Sequence, residues 1–336
     1  MAECIRWGVL GNANIARVCL IPAIQKSRNG KVRALATRFP GQAGEVAIQH
    51  GVPHVYDGYE ALLTDPEIDA IYIPLPNHLH HGWTLRALQA GKHVLCEKPL
   101  ACNAREARQM ADAAANAGLL LMEAFMYRFH PRTQCIKRMV ADGLIGTPCL
   151  VRSAFCYHMG NDLLARGDNI RLKTEMGGGA LLDVGCYSVS VMRWLLDREP
   201  THVQAHAIYH PCGVDVHFVG LLRFPGGEFA TLEASFTSAL QQTFTVVGSE
   251  GAIELPHDAF IPWERDTILM LRGQKDEVGQ EQVIPGADEY QLMVEHFADA
   301  VLGETALAIT PEESVGNMRV LNALAEAART GQTVVL

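Results

Sequence analysis

Two short segments of the chain carry side chains that could move a proton together. Glu97-Lys98-Pro99 follows an apolar run, His93 to Cys96, that reads as a buried strand, so the lysine falls where that strand ends. An ammonium at the rim of a cleft lowers a neighbouring acid's pKa or exchanges a proton itself; a surface lysine before a proline turn is the plainer alternative. Glu175-Met-Gly177-Gly178-Gly179-Ala-Leu-Leu-Asp183-Val-Gly185-Cys-Tyr187 supplies a carboxylate and a phenol four residues apart. On a helix that spacing puts both on one face, and opposite a lysine the pair could run a proton relay. A buried tyrosine bonded to a structural aspartate fits the same residues.

A third segment, Gly8-Val-Leu-Gly11-Asn12-Ala13-Asn14-Ile15-Ala16, follows a strand and opens a helix. Glycine permits the tight turn, a small residue lets backbone approach a pyrophosphate, and another lets helix and strand pack closely, with the phosphates on the helix N-terminus. The pattern departs from the usual glycines at two positions, and an ordinary strand-turn-helix would read similarly. The next strand ends Ala36-Thr37-Arg38, without the carboxylate that grips a ribose 2′-hydroxyl in NAD sites. Arg38 could pair with a 2′-phosphate, which favours NADP(H) and leaves NAD(H) possible; an exposed arginine at a strand end is the alternative. Pro74-Leu75-Pro76-Asn77-His78-Leu79-His80 ends a further strand, and open α/β sheets bind ligands along that edge.

The elements that must position these residues divide into two rhythms. Residues 1–126 alternate strands (Ile5 to Leu10, Val32 to Thr37, Ala70 to Pro74, His93 to Cys96, Leu119 to Glu123) with helical patterns at Tyr59 to Leu63, His81 to Ala90 and Ala104 to Ala117. That is a doubly wound α/β Rossmann domain for a dinucleotide. Residues 127–336 turn to longer β-rich runs at Cys149 to Phe155, His202 to Tyr209, Val216 to Phe224, Glu228 to Phe236 and Thr243 to Val247. They predict an α+β domain on a large open, mostly antiparallel sheet, closed by helices at Tyr290 to Leu302 and Pro311 to Thr330.

Composition narrows the function further. With 336 residues, 49% apolar and 19% charged, nearly all the chain should fold, and as more than one domain. The net charge of -9 comes from both signs scattered along the chain, with no basic run for nucleic acid or an anionic membrane. Nine dispersed cysteines without a C-x-x-C pair argue against disulfides and zinc knuckles, and no apolar stretch approaches a membrane span. A soluble cytoplasmic protein is expected. His78, His80 and His81 lack the remaining ligands of a zinc set, so no metal is expected.

In order along the chain, the glycine-rich turn, PNHLH, EKP, EAFMYRFHP (Glu123 to Pro131) and GGGALLDVGCY together resemble the Gfo/Idh/MocA family of oxidoreductases. The resemblance implies a Rossmann domain followed by an open-sheet domain whose exposed face forms a homodimer or homotetramer. It implies that Lys98 is a catalytic residue near the nicotinamide, that Tyr187 closes the D-x-G-x-[HY] motif as proton acceptor, and that Asp183 orients the pair. Asn77 and His80 would line the nicotinamide and ribose, with Glu97 in the same wall. Tyrosine at the closing position is the form of the glucose-fructose oxidoreductase, dihydrodiol dehydrogenase, xylose dehydrogenase and keto-sugar reductase branch. The implied reaction moves hydride between nicotinamide and a hydroxyl or carbonyl carbon of a sugar, polyol or dihydrodiol. Arg128, Asn169 and Arg171 are candidates to hold such a substrate. The rival expectation is a non-enzymatic dinucleotide-binding regulator of the same fold, which would need no Lys98 and Tyr187.

Overall fold

The structure, a computed structural model, describes residues 4–38, 40–276 and 278–336. It separates into two compact units, one running to Met126 and including Asp288–Val315, the other Tyr127–Ala287 with Gly316–Leu336.

The first unit is built on six parallel strands, β1 (Ile5–Leu10), β2 (Gly30–Thr37), β3 (His54–Asp57), β4 (Ala70–Ile73), β5 (His93–Cys96) and β6 (Leu121–Glu123), in the order β3-β2-β1-β4-β5-β6. Its helices are α1 (Ile21–Lys26), α2 (Pro40–His50), α3 (Tyr59–Leu63), α4 (Asn77–Gln89) and α5 (Ala104–Ala117). The strands β1 and β4 are almost wholly buried, as a parallel sheet covered on both faces requires. Strand β3 was not anticipated; its four residues are half-buried or exposed and include two charged or titratable ends, so they carry little apolar signal. Helix α4 starts at Asn77, four residues earlier than expected, because Pro76 sits at its N-cap with a fixed φ of -57°. Ahead of α1 the helix widens into a π turn over Ala16–Leu20. Pro22 explains it: it lacks an N–H and crowds the carbonyl four residues back, which a wider turn relieves.

The second unit holds α6 (Pro131–Ala141), β7 (Pro148–His158), α7 (Asn161–Arg166), α8 (Cys186–Leu196), and strands β8 (His202–Tyr209), β9 (Asp215–Arg223), β10 (Phe229–Ser235), β11 (Thr237–Gly248), β12 (Gly251–Leu255), β13 (Thr267–Gly273) and β14 (Gln280–Ile284). With β15 (Val334–Val335) they form a nine-stranded sheet, β14-β13-β12-β11-β7-β10-β9-β8-β15, antiparallel except where β10 meets β7. One face is core: Val216, Phe218 and Leu222 of β9 and Ala230, Leu232 and Ala234 of β10 are buried. The alternate positions include exposed Val219, Leu221 and Phe229.

The segment Asp288–Val315, expected in the second domain, groups with the first unit. Its helix α9 (Glu289–Val301) presses Phe297 on the buried Trp7 ring, centroids 5.3 Å apart, and its Glu295 carbonyl and Asp299 carboxylate accept the Asn29 side-chain amide at 2.9 and 2.7 Å. Among the described residues no helix is long and apolar enough to cross a membrane.

Candidate active site

At the carboxyl edge of the parallel sheet, Gly11 takes φ +102° and its N–H donates to the Ala36 carbonyl at 2.7 Å. A Cβ there would lie 2.9 Å from Leu75 Cδ2, so the turn accepts only glycine and leaves bare backbone facing the loop. Asn12, Ala13 and Ile15 are half-buried and Asn14 exposed. Such a bare turn fits a dinucleotide pyrophosphate, and Ala13 keeps the approach open almost as well as glycine. Thr37 is buried at the end of β2 and Arg38 is exposed beyond it. The unanticipated β3 aligns Asp57 with Thr37, so a carboxylate does stand at this edge, one strand over from the end of β2.

The turn carrying Lys98 is clamped at three points. Glu97 accepts the Tyr72 hydroxyl at 2.6 Å, the Pro99 carbonyl faces His80 Nδ1 at 2.9 Å, and the Leu100 N–H donates to Glu123 at 2.8 Å. His80 Nε2 also meets the Leu75 carbonyl at 2.7 Å, so this fully buried imidazole bridges the loops after β4 and β5. Both ring nitrogens are spent on backbone, which makes His80 a brace and not a wall residue exposed to nicotinamide. Burial lowers its pKa, against the pull of the two carbonyls, so it is neutral at pH 7 and donates to one of them. The same burial, with Glu97 beside it, holds the Tyr72 phenol protonated. Pro74 and Leu75 are buried under this edge, whereas Asn77, Glu97 and Lys98 are half-buried.

In the second unit the glycine-rich segment leads into a helix that starts wide. Leu181–Gly185 is a π turn, followed by α8, so Asp183 and Tyr187 flank the change of register and do not sit on a regular α-helical face. Arg171 Nε donates to Asp183 at 2.8 Å and the Tyr157 hydroxyl donates to the same oxygen at 3.1 Å. Asp183 in turn pushes the pKa of the Arg171 guanidinium up, securing its charge. The Tyr187 ring packs among Tyr127, Phe155 and Phe260, with centroids 5.9, 5.4 and 5.3 Å away. Those aromatic neighbours hold the ring in a packed position.

The substrate candidates separate. Arg171 stays beside Asp183, and Asn169 accepts the Arg171 backbone N–H at 2.9 Å. Arg128 does not join them: it is buried with its guanidinium 4.1 Å above the Trp194 ring, a cation–π contact that spends its charge on packing. Tyr157 was missed, because a tyrosine near a strand end has no spacing that ties it to a motif 26 residues on. Asp215, also missed, accepts the Leu181 N–H at 2.7 Å. The relay expected from the sequence is divided between the units, Lys98 in the first and Tyr187 in the second. Among the described residues no three His, Cys, Asp or Glu side chains gather as a metal would require.

Comparison with known proteins places the chain in a class. Residues 5–125 match the family model described as oxidoreductase family, NAD-binding Rossmann fold, and residues 133–254 match the GFO/IDH/MocA C-terminal domain. The chain belongs to the Gfo/Idh/MocA family of oxidoreductases. It is 39% identical over 331 residues to a D-xylose 1-dehydrogenase (NADP(+)) of Haloferax volcanii, covering 98% of this chain and 99% of that one. It is 36% identical to a trans-1,2-dihydrobenzene-1,2-diol dehydrogenase of Danio rerio, over 80% and 78% of the two chains. Among solved structures it is similar to a 3-ketoreductase from Actinomadura kijaniata in complex with NADP and TDP-benzene, with a TM-score of 0.89, 30% identity and coverage of 97% and 98%.

Proposed function

We propose that this chain is an NADP(H)-preferring dehydrogenase or reductase acting on a hydroxyl or carbonyl carbon of a sugar-like substrate. The observation that carries the reading is the Lys98 turn, braced by Tyr72, His80 and Glu123 at the carboxyl edge of a dinucleotide-type sheet. Rigid placement of the turn that carries a lysine there has a use in redox proton transfer and none for a surface lysine. The names of the similar proteins, a sugar dehydrogenase, a dihydrodiol dehydrogenase and a ketoreductase, support the substrate class.

In this reading Gly11, Asn12, Ala13, Asn14 and Ile15 hold the pyrophosphate, Thr37 and Arg38 the adenosine ribose and its phosphate, and Pro74, Leu75, Asn77 and Glu97 the nicotinamide side. When bound, the dinucleotide supplies or accepts the hydride. Tyr187 Oη takes the hydroxyl proton during oxidation and returns it during reduction. Lys98 Nζ favours the phenolate, since an unassisted phenol titrates near pH ~10 and is a poor base at neutrality. Asp183, fixed by Arg171 and Tyr157, orients the phenol one turn away. Asn169 and Arg171 offer hydrogen bonds to substrate hydroxyls. A symmetric partner covers the exposed sheet face around Val219, Leu221 and Phe229, giving a homodimer or homotetramer.

The test is a fluorescence titration with NADPH and NADH followed by assay of aldoses, polyols, keto-sugars and dihydrodiols. Tighter NADPH binding and turnover of at least one sugar-like compound are expected. Tight dinucleotide binding with no turnover across the panel would overturn the reading in favour of a ligand-sensing regulator.

A further inference from the structure

The start of the wide turn that carries Asp183 is held by a residue far from it in sequence. A helix N-terminus leaves its first N–H groups without partners, and this turn has no local side-chain cap. The Gly177-Gly178-Gly179 segment ahead of it cannot supply one. These glycines instead bring the chain close to its neighbours: the Gly179 N–H donates to the Arg171 carbonyl at 2.9 Å, and a Cβ on Gly178 would overlap that same carbonyl. Gly179, at φ +111°, lies so close to Asp215 that a Cβ there would overlap its Oδ1. Asp215, the first residue of β9, thereby reaches the helix start and accepts the Leu181 N–H through Oδ2 at 2.7 Å.

We propose that Asp215 is a positioning residue, a remote cap whose carboxylate sets the entry of the wide turn and through it the placement of Asp183 and Tyr187. A carboxylate is well matched to this position, because it offers an oxygen to more than one N–H and complements the positive end of the helix dipole. Asparagine would present an amide NH2 where one of those oxygens stands. The arrangement is costly, which argues that it is kept for placement and not for stability. Burial outweighs the backbone donors and pushes the Asp215 carboxyl up to about 6, so the charged form is held at the expense of the fold. The wide turn adds to the need. Its ladder changes register between Gly185 and Cys186, and there the buried Asn317 side chain donates to the Cys186 carbonyl at 3.3 Å, so the turn is pinned at its entry and at its exit.

This inference rests on the reading of Tyr187 as the proton-transfer residue, and the experiment separates the two. Tyr187→Phe, Asp215→Asn and Asp215→Ala are compared for kcat, NADPH affinity by fluorescence titration, and melting temperature at pH 7. Asp215→Asn should lower kcat by about fivefold or more, with NADPH affinity within about twofold of the parent and no loss of melting temperature. Asp215→Ala, which empties the position, should be slower still. Asp215→Asn with kcat within about twofold of the parent, while Tyr187→Phe is inactive, would overturn the inference and leave the relay standing. So would a fall in kcat matched by falls in melting temperature and NADPH affinity, since that is the signature of a residue that only supports the fold. Full turnover in Tyr187→Phe would remove the relay itself, and the inference with it.

Discussion

The turn that carries Lys98 and the turn that carries Asp183 each lean on a titratable side chain outside the turn, the fully buried His80 and the half-buried Asp215, and these two act in electrically opposite ways. His80 braces the first as a neutral ring whose burial lowers its pKa. Asp215 caps the second as a carboxylate whose burial raises its pKa to about 6. The linkage signs therefore differ. A histidine with a depressed folded pKa contributes stability present above its unfolded value of about 6.5 and lost as pH falls through the folded value. An aspartate with a raised folded pKa contributes stability present below about 3.9 and lost as pH rises through 6. Acid loosens the lysine's support while relieving the strain under the tyrosine's helix.

The contrast meets its severest test at the two groups themselves. Tyr187→Phe and Lys98→Ala should each lower kcat by about a hundredfold or more with NADPH still bound, and the double variant should be little worse than either single one. Additive losses in steady-state assays would mean that the two turns serve separate steps. Next in size, His80→Ala leaves a buried carbonyl without its donor and empties the ring's place, and should cost about 2–3 kcal/mol in urea unfolding at pH 7. The difference between parent and variant should shrink as pH falls below about 6.5. Asp215→Asn should show the reverse slope: unfolding between pH 7 and 4 should find the parent gaining on the variant by about 1–2 kcal/mol as the pH falls. Parallel slopes for His80→Ala and Asp215→Asn would abolish the contrast. The smallest effect belongs to Arg38→Ala, which should reduce the preference for NADPH over NADH by about tenfold in paired titrations. Asp57 beside Thr37 provides a control, because its replacement by Asn should move the preference the other way.

How much of this was legible in the sequence depended on whether a requirement was local. Gly11 needs a positive φ and no Cβ, Pro99 shapes the turn after Lys98, and the three glycines before Ala180 let backbone segments approach; each leaves a mark at its own position. The remaining strands of both sheets were readable from alternation and buried runs for the same reason, whereas β3 and β12 to β15 were not read. Support from afar leaves no such mark. Asp215 lies 34 residues from Leu181 and Tyr157 lies 26 from Asp183, and nothing in either's neighbours announces the pairing. His80 sits in a recognisable loop, yet only the packing reveals that it faces inward. Arg128 looked like a polyol ligand because a charged residue carries no sign of the Trp194 ring waiting for it. The strand β3 failed for another reason: short and at most half-buried at the sheet edge, it has no long apolar run to betray it.

The return of Asp288–Val315 to the first unit sets the order in which this chain can be completed. Trp7, near the beginning, closes its pocket against Phe297, and Asn29 waits for Glu295 and Asp299. A ribosome delivers those partners only after strands β7 to β14 of the second unit have emerged, so the parallel sheet is threaded early and sealed late. Until then one edge of its core stays open to water and to chaperones. A fragment ended at Met126 would inherit that unfinished state permanently.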